Sequence, residues 1–361
     1  MSAASEGEKV TDELAPASQV TSLRDVARDA GVSVSTASRV LSGSSHPVSQ
    51  GTRDKVHDVA DRLGFEPNRL ARALATARSQ TIGVIVHDVS DSYFAEIVRG
   101  LEDGAGLQDY ALFVASSDRD PDKELALLRA FTSHRVDAIV LVASGLDLDD
   151  YRAKVEALLA RYEALGGVVV LMSEHSYEAP RVFYDNRGTT ASMVKYLIDL
   201  GHRRIGYLTG PPELSVTTAR SAGYHDALAR AGIEADPDLV AGGRFSIEGG
   251  AAAAASLMSG PRPTALVAGN DLMAIGALRR LLDLGYQVPG DVSVAGFDDI
   301  EFAAYASVPL TTVRIPLTEF GRRGADLVFR LLRGEVQSVV PSVECELVVR
   351  ASTGPPPRDR T

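Results

Sequence analysis

Between residues 22 and 64 the apolar positions recur every three or four residues, as in amphipathic helices. A first helix carries Leu23, Val26, Ala27 and Ala30 on one face. Ser22 is placed to cap it, and Asp25 suits its first turn. Ala30-Gly31-Val32 breaks the pattern, and Gly31 can supply the left-handed backbone of a tight turn. A second helix, capped by Ser33, carries Ala37, Val40 and Leu41 and is ended by Ser42-Gly43-Ser44-Ser45. A third begins near Ser49, carries Val56, Val59, Ala60 and Leu63, and stops at Gly64. Three short helices with a four-residue first turn suit a helix-turn-helix domain.

From residue 81 the rhythm changes. Short apolar runs at Thr81–His87, Ala111–Ala115, Asp137–Val142 and Val168–Met172 predict strands separated by helical stretches, one of them near Tyr93–Gln108. The same rhythm restarts at Arg181–Tyr184, Arg204–Leu208, Thr264–Ala268 and Asp291–Ala295. Such alternation implies parallel sheets flanked by helices, and two successive sets imply two similar lobes. Ligands in such folds sit at the carboxyl ends of strands, so the cleft between lobes is the expected site.

Composition sharpens this picture. The chain has 361 residues, 45% hydrophobic and 24% charged, enough for two or three globular domains. No uncharged stretch exceeds 13 residues, and Gly249–Pro261, of that length, is rich in alanine and glycine, so no bilayer span is expected. The N-terminus lacks the apolar core of a signal peptide. A soluble, cytoplasmic protein is expected. One cysteine excludes an intrachain disulfide and a cysteine-based zinc site.

A net charge of −11 argues, taken whole, against a polyanionic partner. Divided along the chain it says otherwise. Residues 1–19, read as a disordered tail, hold one base and four acids. Residues 20–80 hold nine bases and six acids, and from Pro67 to His87 there is no acid at all. Residues 81–361 hold 27 bases and 38 acids. The cationic part is therefore the helical segment. In a helix-turn-helix the second helix enters the major groove by its N-terminal end. Val34, Ser35 and Arg39 then face base edges, while Ser33, Thr36 and Ser38 reach phosphates. Arg39 has the fork that reads guanine. Periodicity alone leaves open a small helical domain that binds protein.

The run LRDVARDAGVSVSTASRVLSG, Leu23 to Gly43, resembles the lactose-repressor (LacI/GalR) family of bacterial transcription regulators. The likeness continues through Val48, Thr52, Arg53, Val56, Leu63-Gly64-Phe65 and Pro67 to Leu74, and then over most of the chain. Further landmarks are Gly201-His202-Arg203-Arg204-Ile205-Gly206, Asn270 to Ala274, Val294 to Asp299, Pro309 to Val313 and Leu347 to Arg350. The resemblance implies an N-terminal all-α helix-turn-helix domain at 20–66 and a hinge helix at 67–79. It implies an α/β periplasmic-binding-protein-like effector domain of two Rossmann-like lobes at 80–361. Lobe one covers about 80–179 and 313–343, and lobe two about 180–312 and 344–361. Asn68, Arg69, Arg72, Leu74 and Ala75 join the DNA-binding set, with Leu74 as a wedge in the minor groove and Ala71 beside it.

The implied partners are double-stranded operator DNA, a second copy of the chain, and a small-molecule effector of the sugar class. The implied effector site gathers His87, Asp91, Tyr93, Phe94, Ser173, Glu174, Arg220, Phe245, Asn270, Asp298 and Ile315. Ser173-Glu174 stands where many relatives have Asp-Arg, Ile315 where many have Gln, and His87 where the residue is often small. No cofactor, no metal and no enzymatic activity are expected. Cys345 lies between Glu344 and Glu346, whose charges disfavour a thiolate, and the histidines are scattered. Gly104-Ala105-Gly106 follows a helix rather than a strand, the wrong order for a dinucleotide loop. Gly249-Gly250 with the following alanines suggests close helix packing. No leucine heptad follows Gly354-Pro355-Pro356-Pro357, so a homodimer is expected rather than a coiled-coil tetramer. The rival reading is a solute-binding protein whose N-terminal helices no longer bind DNA.

Overall fold

The computed structural model describes residues 21–41, 46–65, 78–175, 177–260, 262–335 and 342–357. The chain divides into two compact units, Met1–Ser79 and Gln80–Thr361.

The first unit contains α1 (Leu23–Ala30), α2 (Val34–Leu41) and α3 (Gln50–Leu63). The Asp25 carboxylate accepts from the Ser22 amide at 3.1 Å and from its hydroxyl at 2.6 Å, which ties down the start of α1. Gly31 ends α1 at φ 66° and Gly64 ends α3 at φ 61°, the left-handed conformation that a Cβ disfavours. Ser33 Oγ accepts from the Thr36 amide at 3.1 Å, so it caps α2. The expected apolar faces meet in one small core of Val26, Ala27, Ala30, Ala37, Val40, Val56, Val59 and Ala60.

The tail at 1–19, the Ser42–Ser45 stop and hinge residues 67–77 lie outside the described residues. Arg78 and Ser79, placed in the hinge helix by the sequence, are not helical. Gln80 has φ 54°, and its amide donates to Asp137 Oδ2 at 3.0 Å, which fixes the chain in another conformation before the first strand.

The second unit holds two parallel four-stranded sheets. The first contains β1 (Thr81–Val86), β2 (Ala111–Ser116), β3 (Ala138–Leu141) and β4 (Val168–Leu171) in the order β2-β1-β3-β4. The second contains β5 (Ile205–Thr209), β6 (Val240–Gly242), β7 (Ala265–Ala268) and β8 (Ser293–Ala295) in the order β6-β5-β7-β8. A short antiparallel pair, β9 (Thr312–Arg314) with β10 (Glu346–Val348), completes the strands described. Helices α4 (Ser92–Gly106), α5 (Pro121–Ser133) and α6 (Asp149–Ala164) belong with the first sheet. Helices α7 (Asn186–Asp199), α8 (Ser215–Arg230), α9 (Ile247–Ser259) and α10 (Asp271–Asp283) belong with the second. The short α11 (Glu301–Tyr305) follows β8, and α12 (Leu317–Leu332) packs on α4 and β4.

Seven of the eight predicted strands form. Arg181–Tyr184 does not: it runs extended with one bridge, Arg181 to Leu171. Pro180 precedes it, and the segment leaves the edge of the first sheet after a single pairing. β6 supplies the fourth strand of the second sheet instead. Its sequence, Val-Ala-Gly, is too short to show a period.

Close backbone approach decides which helices pair. A Cβ on Gly321 would lie 2.1 Å from the Ile97 carbonyl oxygen, and one on Gly100 2.0 Å from that of Thr318, so α12 and α4 pack without intervening side chains. Gly250 and Gly276 do the same for α9 and α10, as the glycine- and alanine-rich sequence there suggested. Gly104 likewise faces Ala325, giving the Gly-Ala-Gly run a packing role. Among the described residues no helix is long and apolar enough to cross a membrane. Gly321→Ala should lower stability by about 1–3 kcal/mol through overpacking. Gly106→Ala, in open space at the end of α4, should be neutral or stabilising. Urea unfolding of the two variants checks this.

Candidate functional site

Two surfaces carry the predicted site residues. The first is α2. Ala37 and Val40 face its core, which leaves Ser35, Ser38 and Arg39 exposed. Val34 is 45% exposed, although it begins a helix whose other apolar residues are covered or partly so. Ser33 Oγ also lies 2.9 Å from Ser35 Oγ and 2.8 Å from Thr36 Oγ1. Three hydroxyls and the free amides of a helix N-terminus thus cluster at one end of α2, an arrangement suited to phosphate oxygens. An exposed apolar side chain and an arginine beside them suit base edges. Asn68, Arg69, Arg72, Leu74 and Ala75 lie outside the described residues.

The second surface is a small cavity at the carboxyl ends of both sheets. His87, Asp91, Tyr93, Phe94 and Ser173 line it from the first lobe, and Arg220, Phe245, Asn270 and Asp298 from the second. Arg220 is its centre. Its Nε donates to Asn186 Oδ1 at 2.8 Å, its Nη2 to Tyr184 Oη at 3.1 Å, and its Nη1 to the Gly269 carbonyl. Asp298 stands 3.6 Å from Nη2, near enough for an ion pair and too far for a hydrogen bond. The Phe297 ring lies 3.9 Å from the guanidinium carbon. Burial disfavours the charge on Arg220, but Tyr184 and Asp298 outweigh it and hold the proton more firmly than usual. Burial pushes the Asp298 carboxyl well up, with Arg220 opposing.

The first lobe supplies rings. Tyr93 meets Phe94 edge-on at 4.9 Å, and Phe94 meets His87 at 5.8 Å. Asp91 caps α4 by accepting from the Tyr93 amide at 3.0 Å, which aims both aromatics into the cavity. His87 is held between Ser117 Oγ at 3.4 Å and Ser144 Oγ at 3.3 Å. Burial, with Arg119 and His175 nearby, lowers its pKa to about 3, so it is neutral. In the second lobe Asn270 caps α10 through the Met273 amide at 3.0 Å. Phe245 fills the space left by Gly210, where a Cβ would lie 2.2 Å from its ring.

Glu174 and Ile315 do not line the cavity. Glu174 accepts from Asn186 Nδ2 at 3.3 Å and so braces Arg220 through Asn186. Ile315 is buried in the core, and its amide donates to the Asp298 carbonyl at 3.2 Å. Both steady site residues from behind. Sequence reasoning missed Arg119, Val142, Ser144, Tyr184, Leu214 and Val216 on the cavity wall. Arg119, Ser144 and Tyr184 each stand at or just past a predicted strand, the same signal that found Asn270 and Asp298. Leu214 and Val216 carried none.

The two lobes also touch through backbone. Leu146 and Leu214 form an antiparallel bridge. The Asp147 amide donates to the Glu213 carbonyl at 2.7 Å, and the Ser215 amide and hydroxyl both donate to the Gly145 carbonyl at 3.1 Å. Tyr93 and Tyr184 hydroxyls meet at 3.0 Å across the cavity. Cys345 has its pKa raised to about 11 chiefly by burial rather than by its neighbouring acids. No cluster of metal-ligating side chains occurs among the described residues.

Comparison with known proteins gives two matched families. Residues 22–68 match the one described as bacterial regulatory proteins, lacI family. Residues 194–353 match the periplasmic binding protein-like domain. The HTH-type transcriptional repressor CytR of Escherichia coli (strain K12) is 35% identical over 335 residues, covering 92% of this chain and 96% of that protein. Catabolite control protein A of Priestia megaterium is 32% identical over 332 residues, covering 91% and 98%. Among solved structures, the lac repressor dimer bound to operator and the anti-inducer ONPF superimposes with a TM-score of 0.81. It has 28% identity and coverage of 93% of this chain and 100% of that one. A transcriptional regulator CelR–cellobiose complex gives a TM-score of 0.67 at 31% identity, covering 92% and 99%.

The buried His87 makes stability pH-dependent. The fold accepts the neutral ring, whereas the unfolded chain protonates near the ordinary value of 6.5. Its contribution is therefore whole above pH 6.5 and is lost as pH falls toward about 3. His175, lowered to about 4 mainly by burial, acts in the same direction. His87→Asn should flatten the fall in unfolding free energy between pH 6.5 and 4.5, by up to roughly 1 kcal/mol per pH unit. Urea titrations across that range measure it, and an unchanged slope would contradict the assignment.

Proposed function

The chain belongs to the lacI family of bacterial regulatory proteins, and from that premise we propose how its two units divide the work. It is a DNA-binding transcriptional regulator and not an enzyme. Residues 20–66 form the DNA-reading module, 67–79 the hinge, and 80–361 the effector-binding and dimerising body. The module binds as a homodimer to a pseudo-palindromic operator in the cytoplasm, on the nucleoid, and the outcome is repression. The observation that carries this is α2, with hydroxyls gathered at its N-terminus and Val34, Ser35, Ser38 and Arg39 exposed. A solute-binding protein has no need of that surface.

Ser33, Thr36 and Ser38 hold phosphates, while Val34, Ser35 and Arg39 read bases. Asn68, Arg69, Arg72, Leu74 and Ala75 follow the minor groove, and Leu74 opens a base step there. His87, Asp91, Tyr93, Phe94, Ser173, Arg220, Phe245, Asn270 and Asp298 take a small sugar or sugar-like effector, supported from behind by Glu174 and Ile315. Effector binding changes how the lobes sit on each other. That change sets the spacing of the paired hinges and hence their fit to DNA. The coupling is reciprocal, so an effector that weakens operator binding must itself bind the operator complex more weakly.

Binding to a selected operator pool, followed by fluorescence anisotropy at several salt concentrations, tests the reading. Specific, salt-dependent binding is expected, and its absence would overturn it. Arg39→Ala should loosen the preference for one guanine per half-site, by about 1–3 kcal/mol of discrimination. Leu74→Ala should weaken operators chosen for a flexible central step more than others. Operator affinity unchanged in both variants would refute this docking geometry. Sedimentation at micromolar concentration should show a dimer.

A further inference from the structure

His87 is held by a serine on either side, and neither serine by itself decides which ring nitrogen carries the hydrogen. Nδ1 lies 3.4 Å from Ser117 Oγ and Nε2 lies 3.3 Å from Ser144 Oγ. The ring is neutral, so one nitrogen donates and the other accepts. A hydroxyl can do either, so each serine passes the choice to its next neighbour. Ser144 lines the cavity, whereas Ser117 is fully buried. The choice is therefore made on the Ser117 side.

Ser117 meets there a carboxyl that the cavity does not use. Glu124, in α5, is 1% exposed, and no cation is among the groups that act on it. Those groups are two hydroxyls, that of Tyr151 in α6 and that of Ser117. The Tyr151 hydroxyl donates to Oε1. Oε2 is buried without a hydrogen-bond partner among the described residues. A desolvated carboxylate with no cation beside it is disfavoured, so the group is a neutral acid, and burial raises its pKa accordingly. With Oε1 accepting from Tyr151, the acid hydrogen belongs on Oε2. An O–H there is a donor, and the Ser117 hydroxyl is the acceptor at hand. A serine that accepts from Glu124 keeps one hydrogen to give. The Val86 carbonyl, 3.3 Å away, already accepts from the Ser117 amide at 2.8 Å, so the hydroxyl hydrogen serves Nδ1 better.

We propose that Glu124 is a positioning residue of the cavity: as a neutral acid it donates to Ser117, Ser117 donates to Nδ1, and His87 is held as the tautomer whose Nε2–H donates to Ser144. The Ser144 hydrogen is then free to point at a bound molecule. In the opposite tautomer Nε2 would consume that hydrogen, and the serine would offer lone pairs alone. A side chain outside the cavity wall thus decides whether Ser144 gives or takes a hydrogen bond. The use of that hydrogen rests on the cavity being the effector site, but the tautomer does not, and it is read without any ligand.

Magic-angle-spinning NMR of the sedimented full chain at neutral pH, with isotopic nitrogen in its histidines, tests this, since bare and hydrogen-bearing ring nitrogens resonate far apart. The signals of His87 are those that vanish in His87→Asn. A bare Nδ1 and a hydrogen-bearing Nε2 are expected. Glu124→Gln should keep that pattern, because Tyr151 fixes the amide oxygen and the amide nitrogen replaces the acid O–H as donor to Ser117. Glu124→Leu should move the hydrogen to Nδ1. Ser117, no longer given a hydrogen bond, then accepts from the ring and donates to Val86. Both variants are uncharged, so a role through charge alone would not separate them. Hydrogen on Nδ1 in the unsubstituted chain, wholly or in part, would overturn the proposal. Loss of the pattern in Glu124→Gln, or its survival in Glu124→Leu, would do the same. Each of those results leaves the effector-site reading standing. Melting temperatures confirm that the variants fold, and if Glu124→Leu does not, Glu124→Met takes its place with the same expectation.

Discussion

Much of the second unit depends on keeping one cation out of water. Arg220 is buried, and a desolvated guanidinium costs several kcal/mol unless its donors and charge are matched. Its partners come from three separate stretches. Tyr184 and Asn186 lie together where the segment arriving from the first lobe enters α7, Gly269 follows β7 and Asp298 follows β8. Satisfying a single side chain therefore fixes three segments of the chain against one another. The surrounding residues serve the same end. Glu174 orients Asn186, Ile315 holds the backbone of Asp298, and Phe297 covers the cation. Losing any one partner leaves a buried charge exposed to the rest, so these residues act as a unit and their contributions do not add.

The same network reaches the first lobe through the tyrosine pair, 3.0 Å apart at their hydroxyls, through Glu174 on Asn186 and through Ile315 on the Asp298 carbonyl. Further polar ties between the lobes include the backbone bonds around Leu146 and Leu214. At about 1 kcal/mol net for each hydrogen bond, that contact is worth a few kcal/mol. Ligand binding at micromolar affinity releases about 8 kcal/mol. If a fraction of that energy differs between two lobe arrangements, the ligand can reset their equilibrium. A rigid Arg220 cluster within one lobe and a modest contact between lobes are complementary. The first preserves the shape that recognises a ligand, and the second lets recognition move something.

How much of this was legible depended on whether a feature was local. The three N-terminal helices were readable because caps, stops and apolar faces all lie within one helix length of each other. Ser22, Gly31, Ser33 and Gly64 each act where the sequence placed them. Seven strands were readable from apolar runs, while β6 hid because Val-Ala-Gly has no period to show. Tyr184 was read as the end of a strand, although its extended segment makes a single bridge and its hydroxyl serves Arg220. Seven effector-site residues implied by the resemblance came together with Arg220 and Asp298 around one cavity, but Glu174 and Ile315 turned away from it. Their direction follows from packing on Asn186 and behind Asp298, contacts 12 and 17 residues away that no spacing rule contains. Glu124 was overlooked because its significance lies in an unmatched carboxyl oxygen, which only the folded interior reveals.

The division of charge along the chain coincides with the division of the fold. The net −11 of residues 81–361 falls in the second unit and the net +3 of residues 20–80 almost wholly in the first, which ends at Ser79. At physiological salt, charges more than about 8 Å from a duplex are largely screened. Charge far from the duplex therefore counts for little, and the local balance of the segment that meets the phosphates counts for most. The net charge that taken whole argues against a nucleic-acid partner is thus the wrong quantity to weigh, and the excess of base in residues 20–80 is the relevant one.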